Sequence, residues 1–425
     1  MTHSQAPRRL RTGTLDEDRM PELFELDSAA FCTPRDAESE RDFPRYLPWD
    51  RTVAVDDADG RLVAFHTSFP FTLPVPGATV ASAGLSWVMV RPDHRRRGLL
   101  TEMMATHLGH CRERGEALSV LGAAEPAIYG RFGYGTGADD VRLTLSRGAP
   151  LRPVPGAGDL EVRFEPLAPE RDVPVLRALE AEQDRLEPRP GRARRGSALM
   201  WAPAVYDPPV RRHGAEPLQL LTVHDAGRVR AAALVRRTAR WEASVPQGEV
   251  EVVLLTAIGA AATHRVWEVL LDLDLTTTVR TPHLPVDDPL LALLVDVRAG
   301  RPALVDNLWV RVVDVPTALG TRRYAAPLDV VLEMTDAHVP ANAGRWRVRT
   351  EADDDGTHVA TVARADDDKP ELVLDVRELG AVYLGGRPLT ALASAGLVTA
   401  RRPGTLLQAT TALGWPVAPC SPWLF

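Results

Sequence analysis

The order strand, helix, hairpin, strand, helix occurs twice in this chain, and that repetition limits its fold more than any other feature. Residues 10–31 (LRTGTLDEDRMPELFELDSAAF) read as a short strand, an acidic loop and a helix with Leu23, Leu26 and Ala30 at helical spacing. Residues 162–183 (VRFEPLAPERDVPVLRALEAEQ) share the design. With one residue of slippage Arg11 matches Arg163, Leu15 matches Leu167, Pro21 matches Pro174, Leu23 matches Leu176 and Leu26 matches Leu179. Further on, residues 52–65 (TVAVDDADGRLVAF) and 220–233 (LLTVHDAGRVRAAA) each read as two strands about a Gly-containing turn. Each half then feeds an apolar strand into a helix, residues 85–90 ahead of Gly98 and residues 250–256 ahead of His264.

Two such halves leave about a quarter of the 425 residues over, and at roughly 150 residues per domain the length suits three units. After Arg301 the texture changes to short β-rich runs, residues 306–315, 328–333, 346–350, 359–364 and 371–376, with short helices at 389–397 and 406–413. The expected domains are 1–150, 151–300 and 301–425, with residues 147–158 (RGAPLRPVPGAG) as the clearest linker and 298–302 as a weaker one.

Hydrophobic residues at 45% and charged residues at 25% are the usage of an ordinary globular protein. A net charge of -7 argues against a general polyanion binder. Cys32, Cys111 and Cys420 are odd in number and widely spaced, which indicates neither a disulfide framework nor a zinc site. Arg8 and Arg9 are followed by polar residues where a secretory signal needs an apolar region, and the longest apolar stretch, 289–297, is about half a membrane span. The expectation is a cytoplasmic protein with no nucleic-acid, membrane or metal partner.

The two halves differ where chemistry is expected. The first strand runs into RPDHRRRGLLTEM, the second into AIGAAATHRVWEVL, which lacks the Arg and Gly pattern. In the first, Val88, Met89 and Val90 precede a basic turn and the helix that opens at Leu99, Leu100 and Thr101. Free N–H groups at a helix N-terminus attract anions, Gly98 removes a Cβ that would hold a phosphate off the backbone, and arginines supply directed charge. A pyrophosphate suits this turn. Three consecutive arginines also suit a plain solvated helix start, and the preceding apolar strand, the glycine and the amphipathic helix with Leu100, Met103, Met104 and Leu108 favour the anion site. His107 and His110 share a helix face but have no acidic partner at metal spacing.

The segment V-x-V-x-P-x-x-R-R-x-G-x-L resembles the acetyl-CoA loop of GNAT acetyltransferases, Q/R-x-x-G-x-G/A, here Arg95-x-x-Gly98-x-Leu100, with Leu100 larger than the usual Gly or Ala. Together with residues 128–135 (IYGRFGYG) and the three-part layout, the whole chain resembles the enhanced intracellular survival (Eis) family of bacterial aminoglycoside acetyltransferases. The resemblance implies an α/β (α+β) fold of two tandem GNAT-like domains, the second degenerate, followed by a sterol carrier protein-like α+β domain, and a homo-hexamer. It implies acetyl-CoA as co-substrate, with Val88, Met89 and Val90 on a splayed strand along the pantetheine, and Arg96, Arg97, Gly98, Leu99, Leu100 and Thr101 around the pyrophosphate. Ala124 and Glu125 would flank the acetyl end, with Tyr129 as general acid and the α-carboxylate of Phe425 as general base. Read alone, a Tyr in a Gly-rich loop is also an ordinary packed aromatic, Tyr134 is a rival in the same loop, and C-termini usually fray; the apolar ending Pro422, Trp423, Leu424, Phe425 is one that prefers burial.

Family members acting on aminoglycosides hold polycationic sugars with acidic residues. Here Leu424 precedes the terminal Phe, and Phe31, Cys32, Thr33, Pro34 and Arg35 offer no carboxylate before Asp36; Asp27, Asp36, Glu38 and Glu40 lie nearby in sequence. A cationic amine acceptor is therefore expected without a particular antibiotic. Two other readings remain open, a non-catalytic acyl-CoA sensor and a lipid-binding protein that uses its C-terminal domain.

Overall fold

A computed structural model describes residues 11–32, 35, 40–41, 47–193, 201, 204–423 and 425. These divide into two compact units. The first takes the described residues up to Gly137, those of Leu308–Trp415, and Phe425; the second takes those of Ala138–Asn307 and Pro416–Leu424.

The first unit opens with β1 (Arg11–Gly13), α1 (Met20–Phe31), β2 (Thr52–Asp56), β3 (Leu62–Val75), β4 (Ala78–Val90), α2 (Leu99–Glu113), β5 (Leu118–Leu121) and β6 (Gly135–Arg142). The central strands are apolar on both faces because both are covered. Ala54, Phe65 and Met89 pack with Leu23 and Leu26 of α1, while Val53, Val55, Val63 and Ala64 pack with Leu99 and Met103 of α2.

The second unit repeats the plan: β7 (Thr144–Ser146), β8 (Glu161–Pro166), α3 (Pro169–Leu186), β9 (Gln219–Asp225), β10 (Arg228–Thr238), a ribbon of β11 (Trp241–Glu242) and β12 (Val245–Pro246), β13 (Gly248–Ala257), α4 (Ala260–Leu271), β14 (Thr276–Arg280), β15 (Leu284–Pro285) and α5 (Pro289–Leu293). Its sheet runs β7-β14-β13-β10-β9-β8, with Trp267 of α4 fully buried against it. The duplicated hairpins and helices lie where the sequence repeat puts them.

The strand expected to open the third domain does something else. As β16 (Ala303–Val312) it lies between β5 and β6 of the first sheet, pairing antiparallel with β5 from Trp309 opposite Leu121 to Val312 opposite Leu118. Next come α6 (Val315–Thr321), β17 (Asp329–Thr335), β18 (Gly344–Ala352), β19 (His358–Arg364), β20 (Leu372–Asp375), α7 (Val376–Tyr383), α8 (Leu389–Ser394), β21 (Val398–Ala400) and α9 (Thr405–Leu413), with sheet order β19-β18-β17-β20-β21. The expected strands and the helices near 389 and 406 are present. Helices α6 and α7 were not evident from the sequence; each is short and begins at an aspartate whose side chain accepts a backbone N–H, Asp314 from Thr317 and Asp375 from Arg377.

The fully buried Arg311 of β16 joins this last sheet to the first within one unit. Its Nη2 donates to both oxygens of Asp336, at 2.7 and 2.8 Å, its Nε to the carbonyl of Phe132 at 2.8 Å, and its Nη1 to that of Val312 at 2.7 Å. Asp336 also accepts the backbone N–H groups of His338 and Val339 and the side-chain amide of Asn342. Both charges are thus satisfied on every side, and removing one partner strands the other in a low-dielectric interior. Arg311→Ala is expected to lower the unfolding free energy by about 3–5 kcal/mol, read from urea denaturation; a loss below about 1 kcal/mol, the scale of an exposed ion pair, would show the pair to be dispensable.

Candidate active site

Strands β4 and β5 are parallel neighbours only from Ser82 opposite Leu118 to Gly84 opposite Val120. Beyond that point they part. Strand β4 also changes register against β3, with Phe65 opposite Met89 but Thr67 opposite Ser86, so His66 faces both Trp87 and Val88. This is a β-bulge, and it re-aims the end of the strand.

A cleft of about 420 Å³ opens there, walled by Val88, Met89 and Val90 of β4, the turn and first residues of α2, the loop bearing Ala124, Glu125 and Tyr129, and the end of α1 at Ala30 and Phe31. Residues Arg96 and Gly98 of the turn hold positive φ, +62° and +85°. At Gly98 this backbone favours a residue without a Cβ, and apart from its chain neighbours no atom of the described residues lies within 4 Å of where a Cβ would stand. The first intrahelical bond runs from Glu102 N–H to Gly98 C=O, and no side chain caps the helix. The amides of Leu99, Leu100 and Thr101 therefore meet the cleft with the positive end of the helix dipole and the side chains of His94, Arg95, Arg96 and Arg131 around them.

Of the residues expected to bind the coenzyme, Val88, Met89, Val90, Arg96, Gly98, Leu99, Leu100, Thr101, Ala124 and Glu125 line this one cleft. Arg97 does not: its guanidinium turns back to the carbonyl of Asp93 at 2.7 Å. Leu100, the departure from the usual small residue, packs half-buried with Leu85, Met104, Leu121, Ile128 and Tyr129. Ala30, Phe31, His94, Ile128 and Arg131 complete the wall; only the tertiary fold brings the end of α1 to it.

The two tyrosines of IYGRFGYG separate cleanly. Tyr134 is fully buried, its hydroxyl 2.7 Å from Ser119 Oγ, which is 2.7 Å from His107 Nε2. That internal chain also accounts for His107. Tyr129 lines the cleft, and its hydroxyl has no hydrogen-bond partner among the described residues. Burial, reinforced by the nearby Glu125 carboxylate, pushes its pKa up to about 12, above the value of about 10 expected for a free phenol. The glycines of the motif serve close approach. A Cβ on Gly135 would stand 2.0 Å from the carbonyl of Arg377, and one on Gly133, at φ +82°, would meet Val376 at 2.8 Å and Arg311 at 2.9 Å.

Phe425 does not line the cleft. Its ring meets Phe71 edge-on at 4.8 Å and lies over Gly84, where a Cβ would come within 3.0 Å of it. Gly84 precedes Leu85, a member of the core cluster against which Tyr129 packs. Of the candidate acidic residues, Asp27 is buried and accepts the Trp87 indole N–H at 2.7 Å, and Glu40 pairs with Arg35; Asp36, Glu38 and Leu424 lie outside the described residues.

The second copy has lost these features. Only Ile258 and Gly259 separate β13 from α4, so no basic turn exists there. Gln183 of α3 donates its side-chain amide to the carbonyl of Ala257 at 2.8 Å, occupying the strand end that stays open in the first copy. Among the described residues no helix is long and apolar enough to cross a membrane.

Comparison with known proteins agrees with this architecture. The family described as acetyltransferase (GNAT) domain matches residues 11–137 and, by a second profile of that description, 193–312; the sterol carrier protein domain matches 315–422. An uncharacterized N-acetyltransferase of Streptomyces avermitilis is 40% identical over 400 residues, covering 92% of this chain and 94% of its own. N-acetyltransferase Eis of Mycobacterium tuberculosis is 31% identical over 392 residues, covering 89% and 90%. The crystal structure of Eis1 from Mycobacterium abscessus is similar at a TM-score of 0.79 and 28% identity, over 98% of this chain and 100% of that one. With two GNAT folds, one of them stripped of its basic turn, ahead of a sterol carrier protein domain, the chain belongs to the Eis family of GNAT N-acetyltransferases.

Proposed function

We propose that the chain transfers the acetyl group of acetyl-CoA directly to a cationic amine acceptor of the polyamine or aminoglycoside class, in the first GNAT fold. One observation carries the reading: a bulged strand end, an uncapped helix turn with arginines, and a tyrosine hydroxyl without a hydrogen-bond partner among the described residues share one cleft. The residues fit the coenzyme. The amides of Leu99, Leu100 and Thr101 with Arg96 suit a pyrophosphate, Gly98 leaves it room, and Val88, Met89 and Val90 offer a strand edge to the pantetheine amides.

The thioester supplies an acyl carbon on a thiol leaving group. A neutral amine forms the new C–N bond as the C–S bond breaks, which leaves one proton to remove from nitrogen and one to deliver to sulfur. Tyr129, which lines the cleft, would serve the sulfur. A phenol at about 12 stays protonated at physiological pH and lies above a free thiol at about 8.5. The same burial raises the thiolate's basicity and narrows that gap, so Tyr129 first donates a hydrogen bond to the growing charge on sulfur and then its proton. The α-carboxylate of Phe425 takes the ammonium proton through water, a base that an apolar setting strengthens.

Mixing the purified chain with acetyl-CoA and either spermidine or an aminoglycoside should release free thiol in step with acetylated amine; coenzyme binding without thiol release across both acceptor classes would favour an acyl-CoA sensor instead. Tyr129→Phe should lower turnover at least about tenfold, a loss of about 1.4 kcal/mol in transition-state binding, with acetyl-CoA affinity little changed; unaltered turnover would remove Tyr129 from the acid role. Appending several residues after Phe425 moves the carboxylate away and should cripple turnover while the coenzyme still binds, and full activity of the extended chain would remove the base role.

A further inference from the structure

We propose that Trp87 is a positioning residue for the coenzyme thioester: fastened to Asp27 of α1, it holds β4 in the bulge that turns Val88, Met89 and Val90 into the cleft. The inference rests on the reading of that cleft as the coenzyme site.

Trp87 has φ +57°. For a bulky L-residue the left-handed region is disfavoured, and a residue stays there only when its surroundings hold it. Contacts with Asp27, Phe24 and Phe65 help to do so. The indole Nε1–H donates to Asp27 Oδ1 at 2.7 Å, and Asp27 is only 9% exposed, so the bond is charge-assisted and shielded from water. The ring meets Phe24 of α1 and Phe65 of β3 edge-on, at 6.4 and 6.0 Å.

The bulge selects between two registers. With His66 facing both Trp87 and Val88, the residues beyond are set so that Met89 packs on the α1 core while Val88 and Val90 pack against the α2 side. Without the extra residue the strand end would shift by one, and every side chain after Ser86 would change face. Val88, Met89 and Val90 all line the cleft, so this choice sets the edge that the pantetheine would meet. Because Ala30 and Phe31 at the end of α1 line the same cleft, the bond from Asp27 to Trp87 also fixes two of its walls to each other. Neither Asp27 nor Trp87 is among the residues lining the cleft.

The test compares acetyl-CoA binding by calorimetry, and the steady-state constants for acetyl-CoA, across a substitution series in the full chain. Trp87→Phe keeps a ring but loses the N–H, and Asp27→Leu keeps bulk but loses the acceptor; each should raise Kd and KM for acetyl-CoA about tenfold, with kcat at saturating coenzyme falling much less. Asp27→Asn, whose amide oxygen still accepts the indole N–H, should recover most of the affinity. Trp87→Gly relaxes the backbone but removes the anchor, and should bind as weakly as Trp87→Phe. The inference fails if Trp87→Phe and Asp27→Leu both bind acetyl-CoA within about twofold of the unaltered chain, or if Asp27→Asn is as weak as Asp27→Leu. Absence of binding by the unaltered chain would instead overturn the reading of the cleft itself.

Discussion

The buried pair of Arg311 and Asp336 ties together segments that lie far apart in the chain. Arg311 comes from a strand more than a hundred residues after β5, with which it pairs, and its guanidinium reaches the carbonyl of Phe132 on one side and the carboxylate of Asp336 on the other. One planar cation thereby fixes the loop that carries Tyr129 and the first turns of the C-terminal domain. Charge burial on this scale is tolerable because each guanidinium nitrogen and both carboxylate oxygens have partners. The glycines at 133 and 135 let that loop approach closely enough for the bond to form.

The duplicated fold shows how little must change to remove a site. Both copies keep the hairpin, the flanking helices and an apolar strand that enters a helix. The first copy holds Arg91 through Gly98 between strand and helix, the second only Ile258 and Gly259, and a side-chain amide occupies its strand end. The scaffold's stability resides in its buried faces, while the anion recognition proposed above would reside in one turn and the amides behind it. That turn can disappear without disturbing the core.

A tyrosine raised by burial and the terminal base proposed above share a physical logic. An environment that discourages charge keeps an acid protonated and makes a base stronger, so one dry setting suits both proton roles proposed above. The strained Trp87 belongs to the same economy of form: a local backbone cost, met by aromatic packing and a shielded hydrogen bond, sets which edge of β4 is presented.

The order of elements was legible because hydrophobic periodicity and turn chemistry are local properties, and the repeat displayed them twice. The basic turn, Gly98, the strand before it and the loop with Tyr129 were legible for the same reason: each is a short run of residue types whose chemistry does not depend on distant neighbours. What depended on neighbours was hidden. The bulge at Trp87 exists only in the pairing of β4 with β3, and the choice between Tyr129 and Tyr134 is a matter of burial. Arg97 looked like its neighbours until the turn's conformation bent it back to Asp93. The sequence by itself determined the parts and the anion-seeking turn, since these follow from spacing and side-chain chemistry. Only the tertiary structure decided that β16 would insert into the first sheet, that Arg311 would find Asp336, and that Phe425 would lie over Gly84, because those outcomes are set by which distant surfaces exclude water together.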